Sequence, residues 1–164
     1  MRIDISIGDW RDVSVVMPVM ERAFDPAFGE AWSSAQVSAL LTMPGSWLTI
    51  LRIDDVVAGF ALMRAIIDEA ELMLFAIDPD RRRNGNGRFL LHHVLRQAYA
   101  RNVRRVFLEM RCDNQAAAML YTSAGFIKAG RRPAYYRGEN GCVRDAVTMS
   151  ISVDEENMTD NSLV

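Results

Sequence analysis

The amino-acid sequence predicts a single α+β domain: a mixed, mostly antiparallel central sheet of six to seven strands flanked by about four helices. Three observations predict it. Half of the 164 residues are hydrophobic, enough to fill a sizeable core. Three successive stretches, 47–53, 56–66 and 71–77, are rich in β-branched and large apolar residues, and a tight Asp54-Asp55 turn joins the first two, which reads as an antiparallel meander. Amphipathic helical patterns lie on both sides of that run.

Taken in order, residues 2–6 alternate polar and apolar as a short strand that Gly8 and Asp9 interrupt. Residues 13–24 read as a helix capped by Asp9 or Asp12, with Pro18 as an irregularity inside it. Ser33 followed three residues later by Gln36 is a capping-box pattern, opening a second helix that runs to about Leu41 and stops at Met43-Pro44-Gly45. After the meander, Asp78-Pro79 closes the third strand. Residues 87–101 carry Leu90, Leu91, Val94, Leu95 and Ala98 at helical spacing, with Arg88, His92, Arg96 and Arg101 on other faces. Residues 104–111 read as a strand, 114–123 as a helix ending at Gly125, and 126–130 and 143–153 as two last strands. There is no internal repeat and no linker. The expected layout is one domain over 1–153 and an acidic, disordered tail over 154–164.

Composition narrows the functional classes. No stretch of 18 apolar residues occurs, so no membrane span is expected. The start, MRIDISIGDW, lacks the apolar core of a signal peptide, which predicts a cytoplasmic protein. Cys112 and Cys142 lack metal-site or disulfide-scaffold spacing, and the adjacent His92 and His93 point different ways on a helix, so no metal is expected. The net charge is −2, yet four acids fall in the last twelve residues. The remaining body is about +2, too weak a bias to predict nucleic-acid or membrane binding.

The stretch AIDPDRRRNGNGRFLL, residues 76–91, concentrates three arginines and two glycines where a strand hands over to a helix. Gly85 and Gly87 let backbone N–H groups approach a ligand, and the helix adds its unpaired donors and positive dipole end, a combination suited to phosphate. Arg81, Arg82 and Arg83 would supply mobile positive charge for more than one phosphate. On spacing alone the stretch is equally a solvated basic turn. A P-loop fails because Arg88 and Phe89 follow Gly87, and a dinucleotide fingerprint fails because position 90 is leucine.

What fits is RxxGxG, residues 82–87, after a strand ending in Asp-Pro and before an amphipathic helix. It resembles the acetyl-CoA signature of the Gcn5-related N-acetyltransferases (GNAT), (Q/R)xxGx(G/A), and so implies the GNAT form of the α+β fold. Positions 84 and 86 are both asparagine, where relatives more often carry a basic and an apolar residue. FLEMRCDNQAAAMLYTSAGF, residues 107–126, is similar to the LEVRxSNxxAxxLYxxxGF pattern of the bacterial ribosomal-protein-alanine N-acetyltransferase branch. AWSS, with Ala31 in place of proline, and YYRGENGCVRDAVTM extend the likeness over roughly 31–151.

The resemblance implies an enzyme that moves an acetyl group from acetyl-CoA directly to the N-terminal α-amine of a protein, with a ribosomal protein starting with Ala as the expected partner. In that branch Glu109 would be the general base that frees the amine's lone pair, and Tyr121 the general acid for the departing thiolate. Acetyl-CoA would be held by the backbone of Phe75, Ala76 and Ile77, by the loop Arg82, Arg83, Asn84, Gly85, Asn86, Gly87 and Arg88, and by Asn114. A backbone N–H near Ile77 would meet the developing oxyanion. Trp32, Tyr135 and Tyr136 would line a peptide groove, and Asp68, Glu69 and Glu71 could favour a basic residue near the peptide start. Taken alone, Glu109 reads as a polar-face strand residue, Tyr121 as core, and Asn114 as a helix cap. Two alternatives stay open: a small-molecule amine acetyltransferase, and a non-catalytic acyl-CoA-binding module.

Overall fold

The computed structural model describes residues 1–159. Seven strands form one sheet in the order β1-β2-β3-β4-β5-β7-β6: β1 Ile3–Gly8, β2 Ser46–Ile53, β3 Val56–Ile66, β4 Glu69–Ile77, β5 Arg105–Arg111, β6 Ile127–Arg137 and β7 Val143–Ser152. Every neighbouring pair is antiparallel except β4 and β5. The helices are α1 Val13–Ala23, α2 Ser34–Leu41, α3 Asn86–Ala100, α4 Gln115–Ser123 and α5 Glu155–Thr159.

Local chemistry sets most boundaries. Asp54 and Asp55 both have positive φ, 50° and 65°, the backbone that a tight right-twisted hairpin between β2 and β3 needs. The capping box at α2 forms as expected: Gln36 N–H donates to Ser33 Oγ at 3.2 Å, and Ser33 N–H to Gln36 Oε1 at 2.8 Å. Asp9 caps the turn of 3-10 helix at Trp10–Asp12, while α1 follows with no side-chain cap and continues through Pro18.

Two apolar clusters cover the two faces of the sheet. Val13, Val16, Val19 and Met20 of α1 and Val37 and Leu40 of α2 pack on Leu48, Ile50, Phe60, Leu62, Leu74 and Ala76. Leu90, Leu91, Val94 and Leu95 of α3, with Tyr121 of α4, pack on Leu51, Met63, Leu72, Val106, Leu108 and Met149. Each fully buried Leu or Phe stabilises the fold by about 2 kcal/mol, so this double layer makes the sheet a rigid platform.

Two expectations change. β6 runs to Arg137, beyond the expected 126–130; it is an exposed edge strand with Pro133 and an irregular register, which hides its alternation. Residues 155–159, expected within a disordered tail, form the short α5, whose Met158 packs against the core; residues 160–164 lie outside the described residues.

Candidate active site

A change of register opens the sheet. Between β3 and β4, Leu62 pairs with Leu74 while Met63 pairs with Leu72, leaving Met73 as an extra residue on β4. Such a bulge turns the following residues to the other face. Accordingly Ala70 and Leu72 pack on the α3 side, whereas Leu74 and Ala76 pack on the α1 side. The parallel pairing of β4 with β5 ends at the same place, at Leu72 with Leu108. Beyond it the two strands part, and among the described residues the second half of β4 has β3 as its sole ladder partner.

The ladder phase decides which backbone groups face the gap. Asp78 N–H donates to Ala58 O at 2.8 Å, so the hydrogen-bonded pairs with β3 are Asp78–Ala58 and Ala76–Phe60, and the alternate residues Phe75 and Ile77 turn their N–H groups away from β3. Phe75 and Ile77 therefore border the gap with free amides, whereas Ala76, expected with them, has its backbone committed to β3.

At the end of β4 the chain turns through a short 3-10 segment, Pro79–Arg81, into α3. Arg82, expected to be mobile, is anchored: Nε donates to Ile77 O at 3.1 Å and a terminal nitrogen to Ala23 O at 3.1 Å. Asn86 is buried, and its amide donates to Arg81 O at 2.7 Å. Arg83 and Gly85 both adopt positive φ, 63° and 78°. Among the described residues no side chain caps α3, and the unpaired N–H groups of a helix start are suited to an anionic ligand.

The loop fits the pyrophosphate of acetyl-CoA by a steric test. A Cβ placed on Gly85 would meet nothing within 4 Å, and one on Gly87 would first meet Leu120 and Ile77 at 3.6 and 3.7 Å. Gly85 is favoured by its own left-handed backbone, whereas nothing in the protein's packing or backbone requires glycine at 87; both leave room over the α3 N-terminus. Asn114 is the N-cap of α4, its Oδ1 accepting from Ala117 N–H at 3.1 Å.

Glu109 and Tyr121 flank the gap from opposite faces. Val106, Leu108 and Met110 face α3, so the alternating Glu109 points to the α1 side. There its Oε1 accepts from Arg132 at 2.6 Å. Oε2 is shielded from water and accepts no hydrogen bond from the described residues. Tyr136 Oη donates to the backbone oxygen of Glu109 at 3.1 Å. Tyr121 is buried on the α3 side, edge-on to Phe75 of β4 with ring centroids 6.1 Å apart, and to Phe126 at 5.6 Å. Burial, and after it the negative charge of Glu30, pushes the Tyr121 phenol far above the ordinary tyrosine range.

The α1 side holds residues for which the sequence carries no motif signal. Glu30 and Arg111 form a mostly buried ion pair at 2.5 Å, with side chains 14% and 12% exposed. Arg111 also lies over the ring of Phe28, 3.5 Å from its centroid, and pairs with Asp113. Close approach fixes the same loop to the last hairpin: a Cβ on Gly29 would sit 1.9 Å from Arg137 O, and one on Gly138 1.7 Å from Ala27 O. Trp32 is half-buried against the α1–α2 cluster. Tyr135 is exposed and stands edge-on to Tyr136 at 5.0 Å. Glu71 belongs here as well; burial raises its carboxyl, and the neighbouring Glu109 raises it further. Glu69 begins β4, with Asp68 just before it, at the end opposite Phe75 and Ile77. Among the described residues no three His, Cys, Asp or Glu side chains gather as a metal site would.

Residues 17–126 match the model of the acetyltransferase (GNAT) family. The chain belongs to the GNAT acetyltransferase family. Relatives of this GNAT protein include the ribosomal protein bS18-alanine N-acetyltransferases of Salmonella typhimurium, 41% identical over 63% of this chain and 69% of that one, and of Escherichia coli, 41% identical over 58% and 64%. The crystal structure of the Escherichia coli enzyme superimposes with a TM-score of 0.84 at 32% identity, covering 93% of this chain and 95% of that one. The GNAT architecture expected from the sequence is the one observed, and acetyl-CoA is the acetyl donor.

Proposed function

We propose that this acetyltransferase moves the acetyl group of acetyl-CoA to the N-terminal α-amine of a ribosomal protein that begins with alanine. The observation that carries the reading is the placement of Glu109 and Tyr121 on opposite faces of one gap between β4 and β5. An amine arriving from the α1 side and a thioester lying along the edge of β4 would meet there.

Acetyl-CoA supplies an acetyl group activated as a thioester. Its phosphates are assigned to the N–H groups from Arg83 to Arg88, and its pantetheine arm to the free amides of Phe75 and Ile77, with Asn114 at the start of α4 beside it. A protonated amine cannot attack, so Glu109 takes its proton on the α1 side. The Ile77 N–H, turned into the gap, faces the oxygen on which charge develops. Tyr121, kept neutral by burial, gives a proton to the departing sulfur.

The acceptor assignment draws on the relatives' names and on Tyr136, whose hydroxyl reaches the Glu109 backbone, and Tyr135 edge-on to it; Trp32, half-buried against the α1–α2 cluster, is assigned to the same peptide path. A ribosomal acceptor places the reaction in the cytoplasm, with neither membrane nor nucleic acid as partner. The second reading, a small cationic amine, draws on the Glu71 and Glu109 carboxylates lying together. The test is acetyl-CoA-dependent thiol release with an Ala-initiated peptide, its N-terminally blocked copy and a panel of small amines. Release with the free peptide alone is expected. Release with a small amine alone would replace the acceptor class, and silence throughout with acetyl-CoA still bound would favour a binding module.

A further inference from the structure

Arg132 reaches the site from an irregular part of β6. From Arg132 to Tyr136 that strand advances four residues while β7 advances two, from Ala146 to Arg144, so Pro133, Ala134 and Tyr135 leave the ladder. Asp145 holds this excursion in place. Its Oδ1 accepts Ala134 N–H at 2.9 Å, and its Oδ2 accepts two nitrogens of Arg131 at 2.8 and 2.6 Å. The arrangement sends Arg132 across β7 to Glu109 on β5, with its guanidinium 4.7 Å from the centroid of the Tyr135 ring.

This contact differs from an ordinary surface ion pair in what it occupies. The Glu109 side chain is 13% exposed and fixed in the sheet, while Arg132 is 57% exposed on an edge strand. One end is anchored and the other can turn toward water. The atom it covers is an oxygen of the group assigned to receive the acceptor's proton. Around it stand Glu71 and, opposite Glu71 in the β3–β4 ladder, Arg64. Two carboxylates and two guanidiniums balance. Without Arg132 the group carries one net negative charge, which a single ammonium would neutralise.

We infer that Arg132 is a displaceable internal counter-ion, holding on Glu109 the place that the acceptor's ammonium takes during the reaction. It is a specificity-determining residue, because an acceptor must bring its own positive charge to release it; an N-blocked or neutral chain end cannot. The inference rests on Glu109 being the base in the proposed transfer.

The experiment compares wild type, Arg132→Gln and Arg132→Lys for the KM of an Ala-initiated peptide and of acetyl-CoA, with and without ethylguanidinium. An exposed charge contact of this kind is worth up to about five-fold in an equilibrium constant. Arg132→Gln should therefore lower the peptide KM by about that factor and leave the acetyl-CoA KM in place, while Arg132→Lys stays close to wild type. Ethylguanidinium should compete with the peptide in Arg132→Gln much more than in wild type. An unchanged or raised peptide KM in Arg132→Gln, or a parallel change in the acetyl-CoA KM, would overturn the inference. Arg132→Met, which keeps the aliphatic stem over Tyr135, carries the same expectation should Arg132→Gln prove unstable in thermal unfolding. If the wild type transfers to a small amine alone, the acceptor proposal fails while the same comparison with that amine still decides the role of Arg132.

Discussion

Leu72 and Leu108 form the last rung between β4 and β5, and the Met73 bulge begins one residue later. Everything assigned to the site depends on that rung being last. If pairing continued along β4, the amides of Phe75 and Ile77 would be bonded to β5, and Glu109 and Tyr121 would be separated by a closed sheet.

Replacing Tyr121 with Phe removes the assigned acid while retaining the ring that packs on Phe75 and Phe126. The turnover rate should fall by about 10²-fold, the usual size of a lost proton donor, with acetyl-CoA affinity held. Steady-state kinetics with parallel calorimetry checks this.

Alkaline titration offers an independent check. Burial raises the phenols of both Tyr121 and Tyr136. A folded-state pKa above the unfolded one contributes stability that is complete below the unfolded value and is lost as pH rises from there through the folded value. The loss should therefore begin above about pH 10, the ordinary tyrosine value. Absorbance at alkaline pH should show phenols that ionise only on unfolding, and Tyr121→Phe should remove one of them.

Gly87→Val tests the phosphate loop. Its side chain would enter the space over the α3 N-terminus with only ordinary contact to Leu120 and Ile77, so the fold should survive. Acetyl-CoA binding should weaken by at least about ten-fold, or 1.4 kcal/mol. Unchanged affinity would remove the loop from the acetyl-CoA site.

The Glu30–Arg111 pair predicts a stability effect. Removing one partner of a mostly buried ion pair leaves the other without compensation. Glu30→Ala should destabilise the protein by roughly 2–3 kcal/mol, below the range for a fully buried pair because Asp113 still contacts Arg111. Chemical denaturation measures this. Replacing both residues with apolar ones of similar volume should recover much of the loss.

Much of this was legible in the sequence because local chemistry dictates it. Ser33 and Gln36 mark the start of α2, Asp54-Asp55 the hairpin, and the glycines at 85 and 87 the open loop. The pairing of β4 with β5 to one side and the insertion of β7 between β5 and β6 are long-range choices that periodicity does not encode. The Met73 bulge leaves no mark either: methionine sits as well in a regular strand as in a bulged one. Arg82 looks like mobile charge in the chain, and only the packing of α1 beside β4 shows its guanidinium committed to Ile77 and Ala23. Glu30 and Arg132 carry no local signal at all. They matter because the fold brings residues 81 and 23 positions away in the chain to one place: Arg111 to Glu30, and Glu109 to Arg132.

The central claim is that Glu109 performs proton transfer and does not hold acetyl-CoA. The most direct measurement is Glu109→Gln, with acetyl-CoA affinity by calorimetry and acetyl transfer to an Ala-initiated peptide on the same preparation. The account predicts unchanged affinity with transfer lower by about 10²-fold or more. Parallel loss of affinity and transfer, or transfer that persists undiminished, would contradict it.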